Sequence, residues 1–350
     1  MYSISTRTGT IAGLAALALV GAAAALPAFA SRSLIQDMFF ILTMLTLSQL
    51  WNLLAGYGGL VSVGQQAFVG LGAYAMFAGV ILWGWNTVLA ITLGGLAALI
   101  LAVPTAFFVF RLQGAYFAIG TWVAAEVTRL MVAQWKTLGG GTGISLPRGA
   151  TSNIIGVETI RAVFEVSAAA ARDILAYWLA LALVVAVTGG IYWLLRSRLG
   201  LALAAVRDNS EAARSVGVDT QRLKWGVFLI TATATGLVGA LIFMQTARIS
   251  PQAAFAVTDW TAYVIFIVVI GGIGTIEGPI LGVLIFFALR AILADYGSWY
   301  LLTLGLLAVV VMLFAPNGLW GLISSRTGLL FFPLRRRLSI PVETAHSAGD

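Results

Sequence analysis

Between Asp37 and Arg111 the chain runs for 73 residues, Met38 to Phe110, without one charged side chain. A bilayer crossing takes about 20 predominantly apolar residues, so this run predicts three spans in succession. Gly56-Tyr57-Gly58-Gly59 and Trp85-Asn86-Thr87 supply the turns between them, which places the spans near 34–54, 60–82 and 87–110. Only 9% of the 350 residues are Asp, Glu, Lys or Arg and 60% are hydrophobic, and the mean hydropathy is +0.99. A soluble domain carries about 25% charge and needs it to cover its exterior. The exterior here is lipid.

Further apolar windows lie at 11–30, 112–125 (extendable to about 134 through Glu126 and Arg129), 174–195, 225–247, 260–276, 278–289 and within 296–325. The expected fold is all-α: a polytopic transmembrane bundle of about ten spans, the eighth and ninth short. The chain divides into an N-terminal segment 1–33, a membrane domain 34–323 and a basic, then polar, tail 324–350. The membrane domain includes an external connection at 135–173 and a cytoplasmic one at 196–224. Arg7, the apolar stretch from Ile11 to Leu26 and Ala28-Phe29-Ala30 together resemble a secretory signal with its cleavage site. Cleavage would leave nine spans and an outside N-terminus. The stretch is longer than the ~7–15-residue core of a signal peptide, so retention is expected.

Lysine and arginine set the orientation. With the 196–224 connection in the cytoplasm, twelve basic residues fall inside: Arg7, Arg111, Arg196, Arg198, Arg207, Arg214, Arg222, Lys224, Arg326, Arg335, Arg336 and Arg337. Six fall outside: Arg32, Lys136, Arg148, Arg161, Arg172 and Arg248. Both termini are then expected in the cytoplasm. Trp83, Trp85, Trp135, Trp178, Trp193, Trp225, Trp260, Trp299 and Trp320 fall near span ends, where an amphipathic ring prefers the interface. The net charge of +7 is thus a topology signal, and no basic groove with aromatic platforms exists for nucleic acid. Cysteine is absent, which excludes disulfides and thiolate chemistry. The single histidine, His346, stands in the polar tail, so no histidine metal site or triad is expected.

The connection from Arg196 to Lys224 holds Arg207-Asp208-Asn209-Ser210-Glu211-Ala212-Ala213-Arg214-Ser215-Val216-Gly217. Asp208 followed by Glu211 is a capping-box spacing, and Gly217 suits a left-handed stop. A short helix over 208–217 is predicted, either a solvated hairpin or a compact surface seated in a partner's groove.

Glu211-Ala212-Ala213-x-x-x-Gly217 is similar to the cytoplasmic EAA loop of bacterial ABC importer permeases. Gly200-Leu201-Ala202-Leu203-Ala204-Ala205-Val206-Arg207-Asp208-Asn209, with Val218-Asp219 and Lys224, resembles more narrowly the permeases of branched-chain amino-acid importers. So do the run from Asn52 to Gln65 (NLLAGYGGLVSVGQ), Tyr116-Phe117-Ala118, and Gly271-Gly272-Ile273-Gly274-Thr275-Ile276-Glu277-Gly278-Pro279. The similarity runs from about residue 35 to 320; the I-x-L-P continuation of the broader EAA signature is missing after Gly217. The resemblance implies a passive subunit of the bacterial inner membrane. It would pair with a second permease, be driven by two cytoplasmic ATPases, and receive substrate from a periplasmic binding protein. ATP and any cofactor would belong to the partners. Independently, the only lysines, Lys136 and Lys224, lie outside any G-x-x-x-x-G-K-[ST] pattern, so no phosphate-binding loop is encoded.

Glycine crowds two places: Gly58, Gly59 and Gly64 before the third span, and Gly271, Gly272, Gly274 and Gly278 between the eighth and ninth. Close helix packing and broken helices beside a path both call for glycine there. Gly139-Gly140-Gly141-Thr142-Gly143 reads as flexible external connection. The polar residues at membrane depth are Asn52, Ser62, Gln65 and Gln66, with Glu126 and Arg129 three apart on one helix face. They are the candidates for lining a translocation path. A urea or short-amide importer is the nearest alternative. An ion-coupled secondary transporter would need a midplane titratable group, and Glu126 is the one candidate.

The orientation is checked by single cysteines, made clean by the absence of native ones. An impermeant thiol reagent applied to intact cells is expected to label Ser167→Cys and not Ser210→Cys; the reverse labelling would invert the topology.

Overall fold

A backbone in hydrocarbon has no water to bond, so a spanning chain satisfies its N–H and C=O groups by folding into helices. The computed structural model describes residues 2–3, 7–147, 149–150, 154–293, 296–328, 331–332 and 337–338. Arg148, Arg335, Arg336 and His346 lie outside the described residues, as does most of the tail.

In chain order the helices are α1 (Arg7–Ala25), α2 (Arg32–Asn52), α3 (Gln65–Trp83), α4 (Thr87–Val109), α5 (Ala115–Ala133), α6 (Val157–Phe164), α7 (Ala168–Arg196), α8 (Arg198–Asp208), α9 (Ser210–Ser215), α10 (Thr220–Thr246), α11 (Pro251–Ala254), α12 (Tyr263–Gly271), α13 (Glu277–Leu293), α14 (Ser298–Phe314) and α15 (Gly318–Thr327). Among the described residues six segments are long and apolar enough to cross a bilayer: Arg32–Tyr57, Gln65–Trp83, Thr87–Val109, Ala168–Arg196, Thr220–Thr246 and Pro251–Gly271. A seventh is counted if Leu301–Phe314 and Gly318–Thr327, bent by 40°, form one span. All ten apolar windows of the sequence fall on helices, but α5 carries two charges and α13 has only 17 residues.

The centre is the mutual packing of α3, α4 and α10, with α2 laid against α7, α10 and α12. The close approach is made by glycines: a Cβ on Gly94 would stand 2.7 Å from the carbonyl oxygen of Gly72 and 3.0 Å from that of Gly236. Outside this centre the apolar side chains turn outward. Leu96, Ile100, Phe107 and Phe108 of α4 and Leu306, Leu313 and Phe314 of α14 are exposed, as a lipid-facing surface requires. Buried Asp173 of α7 accepts from Arg32 Nε at 2.6 Å and Gln36 Nε2 at 2.9 Å, locking the start of α2 to α7. The 135–173 connection is more ordered than its glycines suggest. Ile144–Ser145 pairs antiparallel with Arg248–Ile249, and α6 covers a satellite core with Ile35, Ile154, Ile174 and Tyr177.

Three predicted boundaries differ. The third span begins at Gln65 rather than 60, because Gly58 to Gly64 leave the helix. The eighth ends at Gly271 rather than 276: Gly272 has φ +136°, outside any helix. The window 296–325 breaks between Phe314 and Gly318, around Pro316, which has no N–H to continue the ladder.

The glycine crossing gives a stability prediction. Gly94→Ala forces a methyl group between three backbones and is expected to cost about 1–3 kcal/mol. Gly189→Ala, with open space around it, should be neutral or stabilise α7 by up to about 1 kcal/mol. Thermal unfolding of the detergent-purified variants checks the order.

Candidate functional site

The polar residues singled out by sequence separate into an interior layer and an outward-facing pair. Asn52, Ser62, Gln65 and Gln66 are all at most 2% exposed. Asn52 ends α2, where the chain passes into a wider π turn, Leu53–Tyr57. Its Nδ2 donates to Thr275 O at 2.7 Å, and its Oδ1 accepts from Gly274 N at 2.8 Å. Ser62 Oγ accepts from Gly64 N, and Ser62 O accepts from Trp51 Nε1 at 2.8 Å. Gln65 Nε2 donates to Thr235 Oγ1 at 3.0 Å, and Gln66 Oε1 accepts from the Thr261 hydroxyl. These contacts join α2, α3, α10 and the segment before α12 to two stretches of non-helical backbone, 58–64 and 272–276.

Both glycine clusters serve breaking and packing together. Gly59, Gly272 and Gly274 have φ of +67°, +136° and +76°, which side-chain-bearing residues avoid. Gly58, Gly64, Gly271 and Gly278 have main-chain oxygens where a Cβ would go: those of Leu54, Thr121, Gly278 and Gly272 respectively. The break at 272–276 is therefore held against α13 backbone to backbone.

Sequence reasoning missed Gln49, Thr121, Thr235 and Thr261. Gln49 Nε2 donates to Ile276 O at 2.7 Å, and Thr121 Oγ1 accepts from Val63 N at 3.0 Å. Gln49 lies three residues before Asn52, on the same helix face; that spacing was the available signal. Ser48 Oγ, Gln49 Oε1 and Tyr74 Oη are buried without a protein partner. Among the described residues no cluster of His, Asp or Glu could hold a metal ion.

Glu126 and Arg129 do pair: Arg129 Nη2 donates to Glu126 Oε1 at 2.5 Å, and Nε lies 3.0–3.1 Å from both oxygens. They stand on the outward face of α5, with exposed Trp122, Val123, Val127, Leu130 and Met131 around them. Glu126 is 42% and Arg129 25% exposed. Neither reaches the interior layer.

The charged connection folds as two helices rather than one. Helix α8 runs through Asp208, so Asp208 caps nothing and instead accepts from Arg207 Nε at 3.0 Å. Asn209 is the cap of α9, its Oδ1 accepting from the N–H of Glu211 and of Ala212 at 3.0 Å each. Asp and Asn are both good caps; the length of α8 decided between them. Gly217 has φ +87°, the left-handed stop. Ala213 is buried in its own chain, whereas Glu211, Ala212 and Val216 are exposed. The exposed face therefore presents Ala212 and Val216 among the polar Glu211, Arg214 and Ser215.

With this geometry in place, sequence comparison is informative. The family described as "Branched-chain amino acid transport system / permease component" matches residues 33–316. The chain is 31% identical to the high-affinity branched-chain amino acid transport system permease protein LivM of Escherichia coli, over 87% of this chain and 73% of that protein. It is 33% identical to the corresponding permease BraD of Pseudomonas aeruginosa over 36% of this chain and 41% of that one. A xylose transport system permease, XylH of Escherichia coli, is 23% identical over 45% of this chain and 41% of its own. No solved structure matches the chain.

The ion pair on α5 is testable by a double-mutant cycle. Glu126→Gln and Arg129→Gln should each lower the unfolding temperature in lipid nanodiscs. The double variant should lose less than the two singles together, with a coupling of about 0.5–3 kcal/mol; strict additivity would mean the two charges do not interact.

Proposed function

The chain belongs to the branched-chain amino acid permease component family, and from that premise we propose that it forms half of the membrane channel of an ABC importer for branched-chain or related small amino acids. The observation that carries the reading is α9. It is a one-and-a-half-turn helix, capped at one end by Asn209 and stopped at the other by Gly217, and it displays small Ala212 and apolar Val216 to the outside. A solvated hairpin has no use for an exposed valine on so short a capped helix. A surface that enters a groove on an ATPase does.

In this reading two cytoplasmic ATPases bind and hydrolyse ATP while this chain does neither. A periplasmic binding protein delivers the amino acid, and a second permease completes the channel. The charged pair on the outward face of α5 fits that arrangement. An ion pair is costly against lipid and belongs against protein or a wet cavity, so Glu126 and Arg129 are assigned to the surface shared with the second permease. The interior layer of Asn52, Ser62, Gln65 and Gln66 is sealed by its own partners and holds the two breaks. Ten crossings with an uncleaved α1 are favoured, with both termini in the cytoplasm. The pairing of Tyr2–Ser3 with Arg337–Leu338 supports this reading, since an even number of crossings puts those two segments on the same side. An ion-coupled transporter acting alone is disfavoured because Glu126, the carboxylate the sequence offers for it, is engaged on both oxygens by Arg129, and buried Glu277 already accepts from Phe332 N.

The test is reconstitution of the complex in proteoliposomes, where ATP and the binding protein should drive accumulation of leucine, isoleucine or valine, and not of xylose. Ala212→Trp should cut both ATPase co-purification and uptake at least tenfold. Ala213→Trp should instead lower the yield of folded protein, since that methyl group points inward. Full transport by Ala212→Trp would reduce the hairpin to a mere connection.

A further inference from the structure

The ATPase-facing loop is tied to the membrane body by a side chain that aims away from any ATPase. Arg207, at the end of α8, donates from Nη1 to the carbonyl oxygen of Gly56 at 3.2 Å, 151 positions earlier in the chain. Gly56 lies in the π turn where α2 runs out, and terminal carbonyls of a helix point along its axis without intrahelical partners. A guanidinium is the favoured group for such a place, because it meets both the open acceptor and the negative end of the helix dipole. Asp208 fixes the fork from the other side through Nε and Nη2, each at 3.0 Å.

The second break converges on the same point. A Cβ on Gly56 would stand 2.6 Å from Gly274 N, and a Cβ on Gly274 would stand 3.4 Å from Gly56 O and 3.5 Å from Arg207 Nη1. Three segments remote in sequence therefore meet with only the side chains of Arg207 and Asn52 at the junction. Asn52 then fastens the two breaks to each other through Gly274 N and Thr275 O, and Gln49 adds Ile276 O. Within 198–219, the side-chain hydrogen bonds other than that of Arg207 stay in the loop or reach only the first turn of α10.

We infer that Arg207 is the positioning residue through which displacement of α8 and α9 reaches the non-helical backbone at 53–64 and 272–276, so that ATPase movement reopens the channel through these breaks. This rests on the importer reading above. A helix is stiff along its axis, whereas a π turn and a glycine segment absorb large dihedral changes. A push delivered at Gly56 thus acts where the backbone yields.

The proposal separates coupling from docking. In the reconstituted complex, Arg207→Ala should keep ATPase co-purification at the wild-type level and hydrolysis within about twofold. Amino acid taken up per ATP should fall about tenfold, the worth of one charge-assisted hydrogen bond. Arg207→Lys, which keeps a charged donor without the fork, should recover part of that ratio. Asn52→Ala should lower the same ratio, and the double variant should be no worse than the poorer single, because the two act on one route. An unchanged ratio in Arg207→Ala, losses that multiply in the double variant, or loss of ATPase association in step with uptake would overturn it. Should Arg207→Ala not fold, Arg207→Lys decides by the same ratio, and failure of both to fold makes Arg207 purely structural and ends the proposal. Absence of ATP-driven uptake by the wild-type complex would instead refute the importer reading itself.

Discussion

Every departure from helix at membrane depth has to find its hydrogen-bond partners inside the protein, and the rest of the structure is arranged around that requirement. The chain departs twice near its centre, at 58–64 and 272–276. The freed main-chain groups are taken up by Trp51, Thr121, Asn52 and Gln49. Four of the scarce polar or amphipathic side chains of an apolar protein are thereby committed to two short stretches of backbone. Their burial is the counterpart of the glycines' freedom: the glycines let the chain turn, and the amides and hydroxyls make the turned backbone tolerable in a dry interior.

This division explains why the most polar part of the interior is closed. A layer of amides satisfied by threonines and main chain rigidifies what it joins, here α2, α3, α10 and the 258–276 region. The charged pair Glu126–Arg129 stands elsewhere, on the outer face of α5, and the buried carboxylate of Glu277 at the start of α13 accepts from Phe332 N at 2.9 Å. The centre is thus filled by its own side chains, and the charged pair on α5 is left to the surface that the proposed importer would share with a second permease.

Much of the fold was legible because absence of charge and apolar length are local properties of a sequence; each of the ten windows marks a helix for that reason. The places where helices stop were less legible. Leu60-Val61-Ser62-Val63 is apolar enough to belong to a span, and bonds to Trp51 and Thr121, remote from it in sequence, help to hold it out of the helix. Asp208 and Asn209 are nearly equivalent caps as isolated residues, and the choice depended on how far α8 continued. Gly217 was readable since few other residues adopt its conformation. The inward turn of Ala213 was not legible, because a six-residue helix has too little sequence to show which face is inward. Of the candidate site, the identities of the polar residues were visible, but their separation into an interior layer and an outward pair was not: an apolar helix with lipid outside lacks the polar stripe that marks orientation in a soluble one.

The attachment of the first helix has a different kind of consequence. The end of α1 is held by Tyr177, whose hydroxyl donates to Ala23 O at 2.7 Å, and by Trp178, whose Nε1 donates to Ala24 O at 3.0 Å. Both donors read main-chain carbonyls, which every residue type presents alike. This contact therefore asks nothing of the side chains at positions 23 and 24, and exchanging either leaves both acceptors in place. The docking of this helix end is thus specified from α7, by Tyr177 and Trp178, and a change of residue on the α1 side of the contact passes without either hydrogen bond registering it.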